Sequence, residues 1–148
     1  MTYYADTSFW LALLFPADRQ HATAMRYYEG KEESTWLVSP WAELETLNAL
    51  RQLSLRNPAP ITVAQVDRLR RRWRYYLAIG QFARTKPDWE EVFVEAHAIS
   101  SAQAGTRVCR GADLLHVALA DRLAADVFVT LDTDQATVAR EAGMSVEP

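Results

Sequence analysis

At 148 residues, with 49% apolar and 24% charged side chains, the chain has the size and composition of one globular domain that can bury its own core. Its single cysteine, Cys109, excludes an internal disulfide framework and any multi-cysteine zinc site, and a net charge of −3 excludes general coating of nucleic acid. No basic stretch precedes an apolar one at the start, and the longest uncharged apolar run, Phe9 to Phe15, is too short to span a bilayer, so a soluble cytoplasmic chain is expected, with no membrane contact.

Thr2 to Ala5 is a short β-prone run ending at Asp6. Thr7 and Ser8 are N-cap residue types, and Phe9 to Phe15 continues as an apolar helix that Pro16 stops. Asp18 to Glu29 has helical period, with Ala22, Met25 and Tyr27 or Tyr28 on one side and Gly30 at its end. Thr35 to Val38 reads as a second strand. Ser39-Pro40 then opens a helix to about Leu55, with Leu44, Leu47, Leu50 and Leu55 as its apolar positions. Asn57-Pro58-Ala59-Pro60 is a loop too short to link domains.

Thr62 caps a helix whose Val66, Leu69, Trp73 and Tyr76 follow helical spacing, with arginines on its other faces. Seven basic residues and no acid lie between Arg68 and Lys86, leaving nine basic residues against all 19 acids elsewhere. Such a segment predicts a localised polyanion or docking contact, with Arg68, Arg71, Arg72 and Arg74 as candidates for RNA or a partner. Lys86-Pro87-Asp88 restarts the chain as a helix to about Ala104, which Gly105 ends. Gly111-Ala112-Asp113 opens the next, running to Leu123. Val127 to Leu131 is a buried-type strand, Asp134 to Ala142 a helix closed by Gly143, and Ser145-Val146 a last strand. Strands alternating with helices predict an α/β sandwich around a mostly parallel sheet, formed as one domain over residues 1–148.

Four acidic motifs stand far apart along this pattern: Ala5-Asp6-Thr7-Ser8, Glu43-Leu44-Glu45, Gly111-Ala112-Asp113 and Thr130-Leu131-Asp132-Thr133-Asp134. Asp6 and Asp132 end parallel strands, so both face the crevice where α/β sheets bind ligands. Asp113 starts a helix, where a carboxylate is favoured as a cap or as a site group. Glu43 and Glu45 lie about 200° apart around their helix, so only one can face the cleft. Glu45, beside Asn48 and Ala49, is the first candidate; Glu43 shares a face with Leu47 and Leu50 and stands as a solvated or supporting group. Asp134 is placed to cap the last helix and is the lesser candidate beside Asp132. Carboxylates so gathered repel one another unless a cation lies between them, and oxygen donors suit Mg²⁺ or Mn²⁺. That points to metal-dependent chemistry on phosphate esters.

Asp-Thr-Ser after a first strand, Glu-x-x-Asn-Ala-Leu from Glu45, Gly-Ala-Asp-x-Leu-His-Val-Ala-x-Ala from Gly111, and Val-Thr-x-Asp from Val129 together resemble a PIN domain. The resemblance runs from Tyr4 to about Val146 and is to the VapC-type toxin ribonucleases of bacterial toxin–antitoxin pairs. It implies a three-layer sandwich and a metal-dependent endoribonuclease. Asp6, Glu45, Asp113 and Asp132 would be the acidic quartet, and Thr7 or Thr130 would steady a carboxylate or water. It further implies a homodimer and a small antitoxin that blocks the cleft. The alternatives are a housekeeping PIN nuclease, an acidic-cleft phosphatase or DNA nuclease, and a non-catalytic interaction module. A haloacid-dehalogenase-type phosphatase wants a second aspartate two residues after Asp6, where Ser8 stands. His116 lies one helical turn from Asp113, yet within Leu114 to Leu119 a packed or hydrogen-bonded core histidine is expected; the same holds for His21 beside Asp18. Trp73, Tyr75 and Tyr76 beside the arginines could stack bases, or Trp73 and Tyr76 could belong to the packed face.

Overall fold

The computed structural model describes residues 1–103 and 108–148. Among these residues five strands, β1 (Thr2–Ala5), β2 (Thr35–Val38), β3 (Phe82–Arg84), β4 (Val127–Val129) and β5 (Val146–Glu147), form one sheet in the order β3-β2-β1-β4-β5. Every pairing is parallel. Among the described residues seven helices connect them: α1 (Thr7–Leu14), α2 (His21–Tyr28), α3 (Pro40–Leu53), α4 (Val63–Ala78), α5 (Trp89–Ala102), α6 (Gly111–Arg122) and α7 (Thr133–Glu141). None of the described helices is long and apolar enough to cross a membrane.

The central strand is buried on both faces, as parallel sheets require. Tyr3 points to one face, where it stacks on its register partner Trp36 at 5.0 Å and meets Tyr27 of α2. Tyr4 points to the other, where it stacks on Phe128 and meets His116 of α6. Helices therefore cover both faces, giving three layers. Trp10 joins Trp36, Trp73 and Phe82 edge-on, which carries the core from α1 across β2 to α4 and β3.

From β1 the chain winds outward through β2 to β3, then returns to place β4 on the opposite side of β1. The order thus reverses between β1 and β4, the switch point at which such sheets open a crevice beyond their strand ends. Ala5 is in register with Val129, so Asp6 and Thr130 emerge side by side, with the Asp6 amide donating to the Val129 carbonyl at 3.0 Å.

Several local expectations change. The N-cap of α1 is Asp6 itself, whose carboxylate accepts from the Phe9 amide, so Thr7 and Ser8 lie inside the helix with their hydroxyls free for other partners. The cap of α7 is Asp132, not Asp134: from the last extended residue its Oδ1 reaches the amides of Asp134 and Gln135. The buried stripe of α3 is Ala42, Thr46 and Leu50, four residues apart; Leu44 and Leu55 are exposed, Leu44 because it lies on another side of the helix. Helix α2 begins only at His21, because Asp18 turns the chain by capping Gln20, and its buried residue is Ala24 rather than Ala22. Strand β3 had no sequence signal: one buried residue, Phe82, anchors three in the sheet. The expected end of α5 at Ala104 and Gly105 lies outside the described residues.

Candidate functional site

At the switch point the strand ends and the starts of α1, α6 and α7 surround a cleft of about 320 Å³, walled on its far side by α3. Asp6, Glu45, Asp113 and Asp132 all line it. Glu43 does not: it is paired with Arg84 at 3.0 Å on the neighbouring groove. Asp134 lies outside the cleft as well. Among the described residues no arginine or lysine lines the cleft, so its sign is negative.

Asp6 is buried, and hydroxyls hold its carboxylate. Ser8 Oγ lies 2.7 and 2.9 Å from the two oxygens, and Thr130 Oγ1 donates to Oδ2 at 2.7 Å. The direction of these bonds is forced. Ser8 Oγ accepts from the Leu131 amide and Thr130 Oγ1 from the Asp132 amide, so each hydroxyl has its proton left for the aspartate. Burial pushes the Asp6 carboxyl above the usual carboxylate range, against the pull of His116 and of these hydrogen bonds. Burial likewise raises Asp113, and the nearby Asp132 adds to the rise, against a hydrogen bond from the Arg110 amide. Asp113 is thus both a helix-start residue and a wall of the cleft.

Glu45 differs. It sits mid-helix, half-buried, and Thr7 Oγ1 and His116 Nε2 both reach its Oε2, the histidine at 2.7 Å. The histidine's hydrogen bond holds its carboxyl below the usual range, partly offset by burial. His116 is therefore buried and hydrogen-bonded, as expected, but its bond is to a cleft carboxylate. Asn48, Gln52 and Gln135 also line the cleft, and Gln135 ties α7 to the carbonyl of Asp113 at 3.1 Å. Ser8, His116 and these amides are what sequence reasoning left out of the candidate set. The signal available was their spacing: Ser8 two residues after Asp6, Asn48 and Gln52 on the Glu45 face of α3, and His116 one turn after Asp113.

The donor set is hard oxygen and negative, which fits Mg²⁺ or Mn²⁺ in chemistry and sign. Among the described residues no three acidic, histidine or cysteine side chains gather closely enough to enclose an ion. An open site suits Mg²⁺ nonetheless, since that ion keeps several waters and takes only one or two carboxylates directly.

The basic helix α4 is not one patch. Arg72 donates to Tyr76 and lies over its ring, Arg68 borders a pocket beside Pro60, and Arg71 is exposed. Arg74, with Arg70, borders the groove that shares Asn48 with the cleft. Trp73 is buried and Tyr76 packs on Phe82, leaving Tyr75 as the exposed ring of the three. His21 Nδ1 donates to the Ala12 carbonyl of α1 at 2.7 Å, and Asp18 caps its own turn, so neither reaches the cleft.

Two solved structures share this fold across nearly their whole length. The crystal structure of VapC20 from Mycobacterium tuberculosis, a sarcin–ricin loop cleaving toxin, aligns with a TM-score of 0.65 at 18% identity, covering 96% of this chain and 95% of that one. VapBC2 from Rickettsia felis, bound to a DNA fragment from its promoter, aligns with a TM-score of 0.70 at 12% identity, covering 99% and 98%. No curated protein matches the chain. The family model of the PIN domain matches residues 3–141, and with that match over nearly the whole sequence the chain belongs to the PIN domain family.

Proposed function

We propose that this chain is a metal-dependent endoribonuclease of the VapC type, the toxin of a toxin–antitoxin pair. The observation that carries the reading is the convergence of Asp6, Glu45, Asp113 and Asp132, from four separate elements, on one negative cleft at the sheet's switch point. The two similar structures, a sarcin–ricin loop cleaving toxin and a VapBC complex, support the same class.

Asp6, Glu45, Asp113 and Asp132 would hold Mg²⁺ or Mn²⁺. When bound, the cation supplies the positive charge that phosphodiester hydrolysis needs at its attacking and leaving oxygens. The chain's own residues do the rest. Ser8 and Thr130 fix both oxygens of Asp6, Thr7 and His116 fix one oxygen of Glu45, and Asn48 and Gln52 offer neutral donors for phosphate or ribose oxygens. Ser8 gives its proton to Asp6 where a haloacid-dehalogenase phosphatase would carry its acid, which disfavours that alternative. An RNA or antitoxin contact is supported at Arg70 and Arg74, beside the cleft. A homodimer is supported by Trp89, Phe93 and Val94, which leave apolar surface exposed on α5.

The test is cleavage of total RNA by purified protein with Mn²⁺, Mg²⁺ or chelator, beside Asp6→Asn. Cleavage that needs the metal and vanishes in the variant is expected. Wild-type cleavage by Asp6→Asn, or cleavage indifferent to chelator, overturns the reading.

A further inference from the structure

We propose that His116 is a positioning residue that holds Glu45 for cation binding, with the Tyr4 hydroxyl completing the hydrogen-bond chain at the other ring nitrogen. The inference rests on the metal site described under Proposed function and adds how its one mid-helix acid is oriented.

A buried chain of hydrogen bonds runs from the start of α3, across β1 and α6, and back to α3. Ser39 Oγ lies 3.0 Å from the Tyr4 hydroxyl, which lies 3.0 Å from His116 Nδ1, and His116 Nε2 lies 2.7 Å from Glu45 Oε2. Ser39, Tyr4 and His116 are all buried, so solvent does not complete the chain. The protons can be assigned from its two ends. An ionised carboxylate only accepts, so Nε2 carries a proton and donates to Glu45. In the neutral ring Nδ1 is then a bare acceptor, and the Tyr4 hydroxyl must donate to it. Tyr4 in turn accepts from Ser39. The Ser39 oxygen is already accepting from the Ala42 amide at 3.1 Å as the cap of α3, so its proton is available. Each hydroxyl proton in the chain thus meets one acceptor, with none left over.

The geometry has a direct consequence at Glu45. His116 and Thr7 both bond to Oε2, while among the described residues no protein donor bonds to Oε1. One oxygen is therefore anchored and the other is left for the cleft. Asp6, Asp132 and Asp113 are oriented by helix starts and hydroxyls; Glu45, in the middle of α3, has no helix terminus beside it and is oriented by a ring borne on α6, one turn from Asp113. Outer partners of this kind orient a ligand and are worth roughly 10–100-fold in metal affinity when removed.

The test uses His116→Gln, His116→Leu and Tyr4→Phe in the full chain. Glutamine places an N–H donor as many bonds from Cα as histidine Nε2, so it can replace the bond to Glu45; leucine cannot. Mn²⁺ affinity, measured by calorimetry, should stay within about threefold of wild type in His116→Gln and weaken about 10–100-fold in His116→Leu, with cleavage following. In the metal-free protein, ¹⁵N shifts of the His116 ring should report the Nε2–H tautomer, and in Tyr4→Phe the Nδ1 shift should move as its hydrogen bond is lost while Nε2 keeps its proton. If His116→Gln is as impaired as His116→Leu, the ring serves packing alone and the proposal fails. It also fails if His116→Leu binds Mn²⁺ as wild type does, or if the wild-type ring is the Nδ1–H tautomer. A wild type that ignores Mn²⁺ overturns the metal reading instead, and the ring shifts still decide the hydrogen-bond chain. Should His116→Leu not fold, Tyr4→Phe and His116→Gln carry both measurements.

Discussion

Ser8 should matter far more than an ordinary serine in the first turn of a helix. Its hydroxyl donates to Asp6 at 2.7 Å and accepts from the Leu131 amide at 2.9 Å, so it joins α1 to the loop between β4 and α7. Ser8→Ala removes a hydrogen bond to a charged group, worth about 1.5–3 kcal/mol, and strands an amide at about 1–3 kcal/mol. Both sites are only partly buried, so water recovers part of each loss, and alanine's better helix propensity returns about 0.5 kcal/mol. The expected net cost is about 2 kcal/mol, which for a chain of this length lowers Tm by about 4–8 °C. Thermal melts of metal-free wild type and variant measure it. Ser101→Ala, the same change on an exposed face of α5, should stay within about 0.5 kcal/mol. Cleavage by Ser8→Ala should also fall, because Asp6 loses one of the two hydroxyls that fix it. A Tm within 1 °C of wild type, on the scale of about 2–4 °C per kcal/mol, would mean that the Asp6–Ser8–Leu131 bridge does not hold the loop.

Glu45→Gln should lower RNA cleavage by about two orders of magnitude while Glu43→Gln stays near wild type, since the Glu43–Arg84 pair is exposed and worth about 0–1 kcal/mol; the reverse ranking moves the site to Glu43. Mn²⁺ at a hundredfold excess over its dissociation constant should stabilise the fold by about 2.7 kcal/mol, and the Tm shift should shrink in Asp113→Asn; a melt unmoved by Mn²⁺ in wild type removes the cation. Burial raises Asp113 in the folded state, so its contribution to stability is whole below the ordinary aspartate range and is lost as pH rises through its raised folded value. The metal-free stability of wild type relative to Asp113→Asn should therefore increase on acidification toward about pH 4, and a flat difference contradicts the burial. Asp132→Asn should keep the cap of α7 and lose activity, whereas Asp132→Ala should lose both, with about 1 kcal/mol of stability; equal stability of the two denies the cap.

The sequence carried the parts of this fold that depend on period and punctuation. Pro16, Ser39-Pro40, Thr62 and Gly143 mark element ends because each acts within its own turn, and the structure has helices or strands beginning or ending beside all four. Strand β3 was illegible because its three residues owe their conformation to the register with β2, a contact the local sequence does not encode. The acidic motifs were legible as strand ends and helix starts. What the sequence did not show is which groups meet: Ser8 with Leu131, and His116 with Glu45, are joined across 123 and 71 residues. Leu44 misled for the opposite reason, since leucine at helical spacing signals a core face only if another element covers that face.

Three of the four cleft acids are also parts of helix starts. Asp6 caps α1, Asp132 caps α7, and Asp113 reaches back to the Arg110 amide from the first turn of α6. The positive ends of three helices therefore surround the cleft and partly offset the repulsion among carboxylates before any cation arrives. That lets the fold form with a negative site already assembled, so the same amides that stabilise the helices orient the acids. At Asp132 the carboxylate divides its labour: one oxygen caps and the other remains for the cleft. Glu45 cannot share in this, because it lies well inside α3, and the pairing with His116 and Thr7 takes the place of a helix start. An amide at position 132 keeps an oxygen for the cap and gives up the charge, which is why that substitution separates folding from chemistry, whereas at position 6 the new NH2 would meet a hydroxyl that donates to the carboxylate. At position 45 there is no cap to keep, and the histidine's bond is the one that an amide must satisfy.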